Sequence, residues 1–179
     1  MKKLFFAIIV MGSFVASNSA SAQENAIKIN LFSPIVRTLN LSYERVITES
    51  SSFQLGFYYT GFSGAGMQYR GFGLTPEVRF YLSESDAPEG FYVAPFVRYQ
   101  NITVTVKDTD DEGTLSTFGG GLVVGKQWVF KERVTLDLFI GPSYSVGDVK
   151  TDANEDEFDI NASFSGFGVR TGLTLGLAF

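Results

Sequence analysis

The last thirteen residues of the chain alternate between two kinds of side chain. The odd positions from 167 to 179 carry Phe, Val, Thr, Leu, Leu, Leu and Phe, and all of these except Thr171 are apolar. The even positions carry Gly, Arg, Gly, Thr, Gly and Ala, which are small or charged. Since successive side chains of a strand point to opposite faces of its sheet, this pattern predicts a β-strand with one apolar face and one narrow polar face.

The same period of two recurs upstream, and no segment after residue 22 carries the apolar period of a helix. The predicted strands lie at 26–32, 38–44, 53–60, 71–82, 91–100, 117–128, 134–145 and 167–179. An even number of antiparallel strands is typical of single-chain outer-membrane barrels. A spanning strand needs about 9–11 residues, and the first segment reaches this length only if Glu24 and Asn25 are included. We therefore expect an all-β fold, an eight-stranded antiparallel up-and-down transmembrane β-barrel.

The connections and the prolines add two further expectations. With both termini periplasmic, the two longest connections, 105–116 and 147–162, fall on the outer side, as in known membrane barrels. Pro76, Pro95 and Pro142 lie inside predicted strands, where each removes a donor from the ladder, so we expect β-bulges at these positions.

The first 22 residues have the three parts of a secretory signal peptide. Two lysines precede a largely apolar run from Leu4 to Ala16, and an Ala-Ser-Ala cleavage pattern follows at 20–22. This run is shorter than the about 20 residues that a membrane-spanning helix needs. We expect a cleaved signal peptide at 1–22 and an outer-membrane β-barrel domain at 23–179. The absence of Cys excludes disulfides and lipoprotein anchoring.

Alternation alone does not decide which face of the barrel points outwards, because a soluble barrel buries its apolar face and a membrane barrel exposes it. The many glycines of the polar face suit the narrow interior of an eight-stranded barrel. Its four positive and three negative side chains could pair inside a closed lumen, as buried charges must. These predicted lumenal charges are Lys28, Glu44, Glu77, Arg79, Arg98, Asp137 and Arg170.

The C-terminal residues Leu173, Leu175, Leu177 and Phe179 resemble the terminal signal that the barrel assembly machinery reads in outer-membrane proteins. Residues 26–179 as a whole are similar to the small barrels of the OmpA-transmembrane-domain, OmpX and OmpW kind. They are more similar still to other small outer-membrane barrel families with segments such as Leu74–Tyr81 and Gly90–Val93. The resemblance implies an integral outer-membrane location and carries over no functional residue.

The composition argues against the hydrolase chemistries known in barrels. The chain has no His and no Cys, whereas barrel-type proteases and lipid A deacylases use His as base or orienter. Glu44 and Glu77 could in principle act as paired carboxylates, but ion pairing with the arginines is the favoured interpretation. We predict that the chain is not an enzyme and has no catalytic residue, cofactor or metal.

Two further sets of residues could have either a ligand-binding role or an ordinary structural one. Acidic clusters in the predicted outer loops could hold a divalent cation, but neither has EF-hand spacing, and solvated loops are favoured. These are Asp108, Asp110, Asp111 and Glu112, and Asp152, Glu155, Asp156, Glu157 and Asp159. Aromatic residues could bind sugars, but interface anchoring is favoured. They are Tyr43, Tyr59, Tyr81, Tyr99, Trp128 and Tyr144.

The sequence leaves two functions open. The first is a structural or cell-surface interaction barrel whose lumen is filled by charged pairs. The alternative is a narrow channel or carrier for a small solute or lipid. The net charge of −5, which becomes −7 without the two leader lysines, argues against nucleic acid as a partner. The expected partners are outer-membrane lipid and the barrel assembly machinery, and the expected state is a monomer.

Overall fold

The computed structural model describes residues 24–64, 66–82, 86–106, 112–152 and 162–179. The predicted signal peptide and its cleavage site lie outside the described residues. Within the described ranges, eight strands close into one barrel in which each pairs antiparallel with its sequence neighbours and β1 pairs with β8. They are β1 (Asn25–Asn30), β2 (Thr38–Thr48), β3 (Ser51–Gly64), β4 (Met67–Tyr81), β5 (Gly90–Val106), β6 (Glu112–Phe130), β7 (Val134–Asp152) and β8 (Ala162–Ala178). The predicted all-β, eight-stranded antiparallel barrel is confirmed.

The strands differ from the predicted ones mainly in length. At one end of the barrel β5, β6 and β7 continue well past the predicted limits, so the two longest connections narrow to 107–111 and 153–161. We call this the distal end, and the end that holds Asn25 and Phe179 the terminal end. β1 is shorter than predicted, because a 3-10 helix at Ser33–Val36 follows it directly. Among the described residues no helix has the length and apolar character needed to cross a membrane.

The bulges expected at the three prolines are wrong. The register between neighbouring strands is the same before and after Pro76, Pro95 and Pro142. Each proline still pairs with one of its two neighbouring strands, and pairs are missing only on the side of the other strand. Pro76, for example, pairs with Leu55 of β3, whereas the nearest pairs between β4 and β5 are missing. The ladder therefore loses pairs of consecutive rungs on one side of each proline instead of shifting its register. Among the described strands a register shift occurs in β2, between Val46 and Thr48.

The apolar face of the strands lies on the outside of the barrel. On β8, Leu175 and Leu177 are 39% and 43% exposed, whereas Thr174 and Ala178, which flank them, are buried. The same alternation runs through β5, where Tyr92, Ala94 and Phe96 point inwards. The buried core therefore consists of the side chains that fill the barrel lumen, and most of these side chains are polar or charged.

Candidate functional site in the barrel lumen

Six charged side chains from five strands meet inside the terminal half of the barrel, and we call them the lumenal charge cluster. Each occupies an inward position of its strand, so the period of two aims all of them at the barrel axis. Pairing of β1 with β8 closes the ring and brings the first strand next to the last two. The members are Lys28, Glu44, Glu77, Arg79, Asp137 and Arg170.

Arg79 is the centre of this cluster. Its Nε lies 2.7 Å from Glu77 Oε1, its Nη2 lies 2.9 Å from Asp137 Oδ2 and its Nη1 lies 3.7 Å from Glu44 Oε1. The Nη2 group makes an ion pair without a well-aimed hydrogen bond to Asp137. The guanidinium also lies 4.4 Å from the centre of the Tyr92 ring. One fully buried cation therefore contacts all three lumenal carboxylates.

Lys28 and Arg170 supply the other two positive charges. Lys28 Nζ lies 2.5 Å from Glu44 Oε2 and 3.8 Å from Asp137 Oδ2, and Arg170 Nη1 donates to Glu77 Oε2. Three cations therefore face three anions, and the cluster is neutral. Because charges in a low-dielectric interior are tolerated only when paired and hydrogen-bonded, this balance is a condition for burying the cluster at all.

Neutral side chains complete the hydrogen bonding of the cluster. Gln127 is fully buried; its Oε1 accepts from Lys28 Nζ at 2.5 Å and from Arg79 Nη1 at 2.9 Å, and its Nε2 donates to Glu44 Oε2 at 3.1 Å. The hydroxyls of Ser52 and Tyr81 donate to Glu44 Oε1 at 2.5 and 2.8 Å. These contacts make the cluster one connected network rather than a set of separate pairs.

The sequence interpretation missed or misplaced part of this network. Gln127 was not singled out, although its place next to the outward Trp128 puts it on the inner face by alternation. Tyr81 was predicted as an interface aromatic, and this is wrong: it is buried, with its hydroxyl on Glu44. Tyr92 likewise points inwards and donates to Asp137 Oδ1 at 2.7 Å. The signal was present for both tyrosines, because each lies on the polar face of its strand.

Two glycines make room for large side chains in the lumen. A Cβ at Gly125 would lie 2.5 Å from the Tyr92 ring, and a Cβ at Gly172 would lie 2.5 Å from the ring of Phe139. Phe139 is the aromatic residue that interrupts the polar face of β7, and it is buried. The glycines of the polar face thus let rings and guanidinium groups fill a narrow barrel.

Arg98, the seventh predicted lumenal charge, lies on the distal side of the cluster and is not brought into an ion pair. Its Nε donates to Thr75 Oγ1 at 3.1 Å, and no carboxylate of the described residues lies within ion-pair distance. Its guanidinium is 5.7 Å from the centre of the Phe96 ring. Arg170 lies against the same ring at 4.4 Å and against Phe139 at 4.8 Å.

The residues of the predicted assembly signal lie along β8. Leu173, Leu175 and Leu177 occupy outward positions between β1 and β7, and Phe179 is 47% exposed. The backbone N–H of Phe179 donates to Asn25 O at 2.8 Å, so the chain end is fixed against the first strand. The terminal phenyl ring is therefore presented at the rim of the barrel.

Most residues of the two acidic clusters predicted in the outer loops are outside the part of the chain that the structure describes. Asp108, Asp110, Asp111 and the acidic residues at 155–159 lie outside the described residues. In the part of the chain that is described, no group of three or more carboxylates is arranged to hold a metal ion.

Comparison with known proteins adds a family to this description. A family model described as "Protein of unknown function (DUF3575)" matches residues 5–161. The chain belongs to the DUF3575 family. The match spans β1 to β7 and hence every member of the lumenal charge cluster except Arg170. No curated protein matches the chain. Among solved structures, the N-terminal β-barrel domain of Pseudomonas aeruginosa OprF is similar, with a TM-score of 0.42 and 14% identity over 89% of this chain and 100% of that one.

The chemistry available to the lumenal charge cluster of this DUF3575 barrel is limited, because its carboxylates are already paired with cations. Every carboxylate of the lumenal charge cluster contacts at least one cation, and Glu44 and Asp137 also accept hydrogen bonds from neutral groups. A carboxylate held in this way is a poor general base, because its charge is already compensated. The buried charged pairs fill the lumen and connect the strands that surround it.

Proposed function

We propose that this chain is an integral outer-membrane β-barrel with a structural or cell-surface interaction role. The observation that carries the proposal is the inversion of the barrel: apolar side chains cover its outside and paired charges fill its inside. A protein surface of this kind is stable against hydrocarbon but not against water. The proposal places the terminal end in the periplasm of a Gram-negative cell and the distal end outside.

The outer apolar surface forms a continuous belt around the barrel. Neighbouring outward residues are large and apolar from strand to strand, as in the row that joins Leu74 of β4 to Tyr99 of β5 and Phe118 of β6. The belt ends at polar outward residues on the distal side, where Asn101 and Ser116 are paired. A belt with such limits fits the apolar band about 25 Å tall that membrane barrels carry.

At the terminal side of the belt a lysine behaves as membrane-interface lysines do. Lys126 Nζ lies 4.6 Å from the centre of the Phe91 ring and 5.3 Å from that of Trp128. All three side chains are on the outer face, where aromatic rings sit at the headgroup level and a lysine stem covers apolar surface while its amine reaches water. This arrangement supports a membrane boundary at the level of Lys126.

The neutral, hydrogen-bonded charge cluster supports a closed lumen rather than a route for solute. With no free carboxylate in the cluster and no His or Cys in the sequence, we do not propose an enzyme. The proposed partners are outer-membrane lipid along the belt and the barrel assembly machinery at Leu173, Leu175, Leu177 and Phe179. We propose a monomer that does not bind nucleic acid, and that presents its distal loops to a partner at the cell surface.

Fractionation of a Gram-negative host that expresses the full chain tests this proposal. We expect the protein in the outer-membrane fraction, soluble only with detergent, and with faster gel mobility unheated than after boiling, because a closed barrel resists unfolding by dodecyl sulfate. A matched pair of variants tests the orientation of the faces. Leu175→Arg, on the belt, should cost about 2–4 kcal/mol of unfolding free energy near mid-membrane. Asn101→Arg, also outward but at the polar distal limit of the belt, should cost less, because the cost of an arginine falls towards the membrane interface.

Recovery of the processed protein from the periplasm in water, without detergent, would overturn the proposal. Equal tolerance of arginine at positions 175 and 101, with no effect on heat-modifiable mobility, would also contradict it, since the belt would then not face hydrocarbon.

A further inference from the structure

A small cavity lies in the lumen immediately distal to the lumenal charge cluster. Its volume is about 60 Å³, and residues from most of the strands line it. Several of these residues follow a cluster member by one inward step: Asn30 follows Lys28, and Thr75 precedes Glu77 on the antiparallel β4. The lumenal charge cluster therefore bounds the cavity on its terminal side, and the cavity lies between this cluster and the distal end of the barrel.

The walls of the cavity carry positive charge and hydrogen-bond donors. Arg98 and Arg170 both line it, together with the side-chain amides of Asn30, Asn40 and Gln54. None of its lining residues is Asp or Glu. Guanidinium groups cannot be deprotonated in proteins, so the two arginines keep their charge whatever lies between them.

The two guanidinium groups are held in fixed positions. Arg170 lies between the rings of Phe96 and Phe139, at 4.4 and 4.8 Å, and Arg98 is tied to Thr75 by its Nε. Arg170 Nη1 is occupied by Glu77, whereas the hydrogen bond of Arg98 uses Nε, and neither of its Nη groups has a hydrogen-bond partner among the described residues. The site is therefore built before any ligand enters it.

At least one amide is also oriented with its donor end inwards. Asn30 Oδ1 accepts from the backbone N–H of Phe32 at 2.9 Å, so its NH₂ group is turned the other way. That nitrogen lies 2.8 Å from the position of a Cβ at Gly172, inside the barrel. The absence of a side chain at Gly172 leaves this donor uncovered.

Charge balance shows what the cavity lacks. The six members of the lumenal charge cluster cancel, so among the described residues the charge of the partly buried Arg98 has no carboxylate to balance it. The two guanidinium groups lie against the same phenyl ring, and only Arg170 is ion-paired with a described carboxylate, Glu77, so a second anion between them would lower their mutual repulsion. We propose that this cavity binds one small oxyanion of phosphate size between Arg98 and Arg170.

The size and chemistry of the cavity define the ligand class. A volume of about 60 Å³ accommodates a few water molecules or one five-atom oxyanion. The planar fork of Arg98 suits an anion with two oxygens at its edge, such as phosphate. The same phosphate chemistry could reach the distal side of the lumen as free inorganic phosphate or as the headgroup of a lipid.

Isothermal titration of inorganic phosphate into the purified full-length barrel in a phosphate-free maltoside detergent tests the proposal. We expect one phosphate per chain, and binding that is at least about tenfold weaker in Arg98→Met, because a charge-assisted hydrogen bond is lost. The matched control is Arg70→Met, which removes an exposed arginine of β4 outside the cavity and should leave binding unchanged. Each titration is repeated in chloride at equal ionic strength.

A second variant keeps the test decisive if Arg98→Met does not reach the heat-modifiable form. Arg98→Lys retains the charge but not the fork, and phosphate should then bind several-fold more weakly than to the unaltered chain. Phospholipid that stays bound through detergent exchange, and is lost in the Arg98 variants, would identify the headgroup as the source. Binding of free phosphate alone would identify the free anion.

No heat from phosphate in the unaltered barrel, equal binding in the Arg98 variants, or complete competition by equimolar chloride would overturn the proposal. These outcomes are independent of the proposed membrane role. The oxyanion site can fail while the protein still fractionates with the outer membrane, and the reverse also holds.

Discussion

At the scale of single residues, Arg79 decides whether the barrel interior can stay closed. It is fully buried and contacts Glu44, Glu77 and Asp137 together. No other cation of the lumenal charge cluster contacts all three. Lys28 and Arg170 between them could still neutralise two of these carboxylates, so the loss of Arg79 would leave one buried negative charge uncompensated.

We therefore predict that Arg79→Met lowers the free energy of unfolding by about 3–5 kcal/mol, the cost of removing one partner from a buried ion pair. Methionine keeps most of the side-chain volume, so the loss reports charge rather than a cavity. Urea unfolding of the barrel in detergent, followed by Trp128 fluorescence and heat-modifiable mobility, measures it. The double variant Arg79→Met with Asp137→Asn restores neutrality and should recover part of the loss.

Arg45→Met is the control for this measurement, because Arg45 is an exposed arginine on the outer face of β2. Its removal should change stability by less than about 1 kcal/mol. A similar small loss for Arg79→Met would mean that the cluster does not behave as a buried network.

At the scale of elements, the hairpin between β6 and β7 stores backbone strain. Its turn is closed by Arg133 N–H donating to Phe130 O at 3.1 Å, and its two central residues, Lys131 and Glu132, have φ angles of 50° and 59°. Tight hairpins of this kind favour Asn-Gly, since positive φ is costly for residues with a Cβ. The turn is held in this conformation by the long ladder of the two strands that it joins.

Glu132→Gly should therefore stabilise the barrel by about 1 kcal/mol, as glycine adopts positive φ without strain. The midpoint of urea unfolding measures the change. The turn between β3 and β4 offers the opposite test: Gly66 has φ 78°, and Gly66→Ala should destabilise by about 1 kcal/mol. If both substitutions shift the midpoint in the same direction, backbone strain is not the quantity that they change.

The elements also separate what the sequence can predict from what it cannot. Alternation locates all eight strands because within the belt the two faces differ in polarity. At the distal end the alternation continues, but the polarity of the two faces is exchanged. Asn101 and Thr103, in line with the outward Tyr99, are polar and bond to Ser116 and Thr114 of β6, whereas Ile102 and Val104, in line with Arg98, are apolar. The predicted strands therefore end where the polarity is exchanged, while the pairing of the strands continues past that point.

The same limit applies to the lumenal site. Alternation predicts that Lys28 and Asp137 share the inner face, but not that Lys28 Nζ lies 3.8 Å from Asp137 Oδ2, because this distance follows from the closure of β1 on β8. The sequence does not predict a role for Gln127, because glutamine carries no charge and the alternation of its strand is weak. Arg98 lies at an inward position of β5, but only the register around the whole barrel shows that no carboxylate of the described residues reaches it.

At the scale of the whole molecule, closure of the wall and closure of the lumen are separate properties. The strands form an uninterrupted ring, and the cluster inside them joins β1, β2, β4, β7 and β8 across the barrel axis. A path for ions through the terminal half would have to break ion pairs that lack solvent to replace them. A structural barrel and a channel therefore differ in whether this cluster opens.

We predict that the full-length barrel reconstituted in planar bilayers shows no steady conductance. The charge-balanced double variant Lys28→Ala with Asp137→Ala should conduct, because it removes two buried side chains from the plug without leaving a net charge. Arg45→Ala with Glu49→Ala is the matched control: it also removes one charge of each sign, but from exposed positions, and should stay silent. Steady openings of the unaltered barrel would favour the channel function instead. A silent Lys28 and Asp137 variant that still shows heat-modifiable mobility would mean that some other part of the lumen, such as the Arg98 and Arg170 cavity with its rings, blocks the path.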